Sequence, residues 1–146
     1  MMESIVTVTI TVGSMLLFCY WFRYTCRLIL SAATARDYAM NVAQAHHLCY
    51  QDAQLQLSRG AALDPLKEML DRDYVVLADL MNHAAGAQTS IERRMLATHY
   101  RLMSAWYEAS SKISPASARK ALEEMSNVLA YFANSIGEAA VSPAAG

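Results

Sequence analysis

The sequence predicts an all-α protein: a single N-terminal transmembrane helix followed by an antiparallel, up-down bundle of about four helices. Three observations point there. Ser4 to Phe22 is one uninterrupted uncharged run, and Arg23 and Arg27 follow it at once. Glycine and proline are absent between Ser14 and Arg59, then punctuate stretches in which apolar residues recur at helical spacing. No β-rich segment occurs beyond the run. With 146 residues there is room for one domain besides an anchor. Residues 1–30 read as anchor and juxtamembrane segment, 31–137 as a cytoplasmic bundle and 138–146 as a flexible tail.

A helix over Ser4 to Phe22 rises about 28 Å, close to the hydrocarbon thickness of a bilayer. Thr7, Thr9 and Thr11 suit such a helix because their hydroxyls can bond carbonyls one turn earlier. The Val/Thr alternation there resembles a strand, but it stops after Thr11, and an isolated strand cannot cross a bilayer. Tyr20, Trp21, Phe22 and Tyr24 cluster where an aromatic belt belongs, next to Arg23 and Arg27, so these six form the expected membrane interface. Only Glu3 precedes the run, whereas Arg23, Arg27 and Arg36 follow it, which puts the N-terminus outside and the bulk of the chain in the cytoplasm. Ala33-Thr34-Ala35 has the shape of a signal-cleavage site, yet the start carries no Lys or Arg and two arginines interrupt the route to it. Thr9 and Gly13 form a small-xxx-small pair, the expected surface for packing against other membrane helices.

The stretch from Ser14 to Arg59 reads as one long helix, continuous from the membrane into the cytoplasm, with Tyr38, Val42, Ala45 and Cys49 on one face. Asp64-Pro65 opens the next helix. Leu66, Met69, Leu70, Leu77, Leu80, Met81 and Ala84 form its apolar stripe, and Gly86 closes it. Thr89-Ser-Ile-Glu92 is a capping-box pattern. Ile91, Met95, Leu102, Trp106 and Ile113 are expected to line the inner face of the helix that follows. Ser114-Pro115 starts the last helix, whose face is Ala118, Leu122, Met125, Leu129, Phe132 and Ile136, with Gly137 as its end. Short connections between long helices favour antiparallel neighbours.

Composition fits an anchored protein, with 55% hydrophobic and 17% charged residues. No basic stripe concentrates in the domain, so no nucleic-acid partner is expected. Cys19, Cys26 and Cys49 are odd in number and scattered, which is no disulfide framework. Cys26 reads as a small helix-packing residue. His46 and Cys49, and Asp79 and His83, pair by spacing, but no full metal-ligand or haem pattern exists, so no cofactor is expected. Arg93, Arg94 and Arg101 read as a charged outer face, and Glu123-Glu124 as a solvated pair. Tyr107 sits beside Trp106, and the two cannot both point inward, so Tyr107 is the candidate partner-facing residue. Without a phosphate loop, nucleophile elbow or metalloprotease signature, an enzyme is not expected. The expectation is a binding protein: an accessory, scaffold or assembly subunit of a membrane complex, with the lipid bilayer and other membrane subunits or a second copy as partners. A membrane-tethered sensory or regulatory module is the alternative.

Overall fold

A computed structural model describes residues 1–32, 38–83 and 91–141. Six helices occur among them and no strand: α1 (Met2–Ala32), α2 (Ala39–Ala45), α3 (Tyr50–Ser58), α4 (Leu63–His83), α5 (Ile91–Ser110) and α6 (Pro115–Val141). The predicted Gly86 stop, Ala84 and the first half of the capping box, Thr89-Ser90, lie outside the described residues.

In α1 the hydroxyls of Thr7, Thr9 and Thr11 each donate to the carbonyl four residues earlier at 2.8 Å, so a β-branched stretch keeps its polar atoms inside the helix. Met2–Leu30 is long and apolar enough to cross a membrane, and its most apolar window is not buried in the protein at all. The end of α1 behaves differently. Phe22, Cys26, Ile29 and Leu30 recur at i, i+4, i+7 and i+8, and this face packs on the core, with Cys26 fully buried. α1 therefore has a bare length followed by a docked length.

α6 is the hub. It packs against α2, α3, α4 and α5 and touches α1. Ala118, Leu122, Met125, Leu129 and Phe132 are buried, as their spacing predicts, and Ile136 is partly so. α4 also follows its predicted stripe, burying Leu66, Leu70, Leu77 and Met81. α4 and α5 meet through long side chains. Asp64 accepts from Tyr107, Asp71 from Tyr100 and Asn82 from Arg93, and the Tyr74 and Tyr100 rings stack 4.1 Å apart.

Three expectations are corrected. The single helix from Ser14 to Arg59 is divided: α1 ends by Ala32, and a turn at His46 to Cys49, with His47 at φ +53°, separates α2 from α3. No Gly or Pro marks this turn. Gly137 does not end the last helix, which runs on to Val141 and takes in the start of the predicted tail. Gly137 is buried instead, because Tyr38 and Val42 pack where a side chain would go. The inner face of α5 is Leu96, His99, Tyr100, Met103 and Tyr107, not the stripe of Ile91, Leu102, Trp106 and Ile113, which is exposed. Both sets recur at three and four residues, so periodicity alone does not choose between them.

Candidate functional site: the junction between α1 and the core helices

Arg23 and Arg27 are one helical turn apart, so their guanidiniums share a side of α1. Both reach Oε1 of Glu124 on α6, at 3.1 and 3.2 Å. Glu124 follows buried Ala121 by three residues and precedes buried Val128 by four, so it stands at the edge of the core stripe. Its side chain is 16% exposed. On the other oxygen, Oε2 lies 3.0 Å from Nε2 of His99, which is 1% exposed on the inner face of α5. The two atoms are in close contact, with a geometry short of a well-aligned hydrogen bond. Nδ1 of His99 has no partner among the described residues. The Phe22 ring sits 6.4 Å from the imidazole and helps close the site.

Three helices thus converge on one carboxylate. His99, then Arg27 and Arg23, hold the Glu124 carboxyl at about 2, well below the usual range, against the opposing cost of burial. The arrangement ties the end of the apolar helix to the domain by charge, and both arginines remain exposed.

A second buried carboxylate lies in α4. Asp73, 1% exposed, accepts the backbone N–H of Cys49 at 2.6 Å and also that of Tyr50. It caps the start of α3 from another helix, since no local side chain does so. Burial pushes the Asp73 carboxyl up, while the two N–H donors and Arg72 oppose this.

The predicted interface residues divide. Tyr20, Trp21 and Tyr24 are exposed, Phe22 is half-buried against the core, and Arg23 and Arg27 are engaged with Glu124. Thr9 and Gly13 lie on the bare length of α1, and no atom comes within 4 Å of a side chain built at Gly13. Tyr107 is not a surface residue. It is 4% exposed, donates to Asp64 at 2.5 Å, and leaves Trp106 on the outside. Glu124 is not the solvated partner of Glu123. Among the histidines, His46 caps the end of α2 while Cys49 is the residue just before α3, so their expected shared face does not form. His83 is exposed beside Asp79. No group of three or more His, Cys, Asp or Glu able to hold a metal ion occurs among the described residues.

His99 and Glu124 were hidden in the sequence by the choice of stripe. Setting Leu96, Tyr100, Met103 and Tyr107 inward places His99 inward with them, and a buried imidazole calls for a carboxylate. No protein family, curated protein or solved structure matches this chain.

Proposed function

We propose that the protein is a single-pass membrane protein whose cytoplasmic helices form an antiparallel up-down bundle, and that it serves by binding as an accessory, scaffold or assembly subunit of a membrane complex. The observation that carries the reading is the bare apolar length of α1 ending in arginines clasped to the domain. Met1 to Trp21 would lie uncovered in water, which is costly, and about 30 Å of helix is what a bilayer covers. The pairing of Asp64 with Tyr107 and of Asp71 with Tyr100 runs in opposite chain order. So do the pairings of His99 with Glu124 and of Glu92 with Tyr131, which supports the up-down arrangement. Arg23 and Arg27 at the inner end favour an outside N-terminus. Among the described residues no cluster pairs a nucleophile with a base, and binding is the reading favoured here.

Labelling tests the topology. A cysteine-free variant with Glu138→Cys, on the exposed side of α6, should react with an impermeant maleimide only after the cell is opened. Reaction in intact cells reverses the orientation. Detergent purification followed by native mass spectrometry then tests partnership, and a lone monomer at every detergent concentration speaks against an assembly role. The alternative, a sensory or regulatory module, is favoured by one feature: the Glu124 clasp couples α1 rigidly to α5 and α6, so a movement of α1 would be passed on.

A further inference from the structure

The stripe expected to face inward on α5 has been left outside, and it is apolar. Leu102 is exposed, Trp106 is 54% exposed and Ile113, just past the helix end, 85% exposed; Met95 is half-buried in line with them. Their spacing of seven, four and seven puts them on one side. One edge of this stripe is the place where the anchor docks. His99, which meets Phe22, is four residues after Met95 and three before Leu102. The other edge carries Arg94, Arg101 and Lys112, all exposed and none in an ion pair among the described residues. Of the two acids of α5, Glu92 accepts from Tyr131 on α6, while Glu108, seven residues after Arg101 and four before Lys112, shares the cationic edge and lies 3.8 Å from Lys67 on α4. This side of α5 therefore carries an apolar stripe and, at its free edge, three cations against one acid.

We propose that this face rests on the anionic headgroup layer of the bilayer that α1 enters. The inference depends on the anchor reading above. A stripe of Leu, Trp and Ile flanked by Arg and Lys is the pattern of a helix that lies in the interface, with its apolar side a few ångström below the phosphates. Tryptophan suits that depth because its ring is apolar and its N–H needs a polar neighbour. A soluble surface rarely leaves such a stripe uncovered. The cations match acidic headgroups, and each contributes about a fivefold preference for an anionic surface. α1 holds the stripe beside the bilayer, so the second contact forms at high effective concentration. Arg23 and Arg27 stay on Glu124, and the lipid contact falls to the cations of α5.

The test uses the full chain with Trp21→Phe, which leaves Trp106 as the sole tryptophan. The protein is placed in vesicles of phosphatidylcholine alone or with phosphatidylserine, with bromine at defined depths in the acyl chains. Shallow bromine should quench Trp106 in the anionic vesicles, and acrylamide should quench it less than in detergent. Replacing Arg94, Arg101 and Lys112 together by Gln should abolish the lipid quenching while helix content is unchanged. Trp106 untouched by bromine overturns the proposal, whether acrylamide reaches it or a protein surface shields it. Equal quenching in the neutral vesicles overturns the headgroup charge selection. A separate variant, Phe18→Trp with Trp21→Phe and Trp106→Phe, reports on α1. If its tryptophan is quenched by deep bromine while Trp106 is not, the anchor stands and the α5 contact falls. If it is not quenched, the anchor reading fails.

Discussion

Glu124 is the residue whose removal should most clearly separate α1 from the rest of the helices. Glu124→Gln keeps the shape but takes away the charge that two guanidiniums and a buried imidazole face. The carboxyl lies at about 2 in the folded protein against 4.5 for the free group, a difference equivalent to about 3 kcal/mol. Solvent around the exposed Arg23 and Arg27 screens part of this, so about 2 kcal/mol is the expected loss at neutral pH. The sign follows from the direction of the shift. A carboxylate lowered by folding stabilises fully above about pH 4.5, and that contribution disappears as pH falls toward 2. Urea unfolding of the full chain in detergent, followed by far-UV circular dichroism at pH 7 and pH 3.5, measures both effects. Glu124→Gln should cost more at pH 7 than at pH 3.5. In a double-mutant cycle, Arg23→Gln with Arg27→Gln should cost far less when Glu124 is already Gln. A loss below about 0.5 kcal/mol at pH 7, or strict additivity with the arginine changes, would refute the clasp.

Other substitutions separate the remaining features. Asp73→Ala should destabilise by about 1–2 kcal/mol, the usual cost of a lost cap, while Asp73→Asn, which keeps an acceptor and removes a buried charge, should cost less in the same urea titration. Gly137→Ala should destabilise by about 1–3 kcal/mol despite the better helix propensity of Ala, because Tyr38 and Val42 occupy the space; an increase in the unfolding midpoint would contradict the packing. Gly13→Leu should leave insertion and domain stability unchanged, since nothing packs there, yet weaken association in a two-hybrid reporter for membrane helices. Unchanged association would make the span a tether only.

The all-helical class, the apolar run of α1 and the core faces of α4 and α6 were legible in the sequence. Each rests on local rules: an uncharged length, a back-bonding threonine, a stripe such as Leu122, Met125 and Leu129 that no alternative stripe contests. The face of α5 is ambiguous in the sequence because Leu102 and Trp106 lie at the same spacing as Met103 and Tyr107, and the partners Asp64 and Asp71 on α4 decide between them. The break at His47 carries no Gly or Pro, and Asp73, well over a helix away in sequence, caps the new helix start it creates. Gly137 carries a stop signal in a helix that does not stop, because Tyr38, just before α2, packs where its side chain would be. Glu124 looked like half of a solvated pair until α1 and α5 brought Arg23, Arg27 and His99 to it. Periodicity reports which residues share a face. Which face is covered, and by what, is settled by contacts between residues up to about a hundred positions apart, such as Arg23 with Glu124, and those are decided by packing alone.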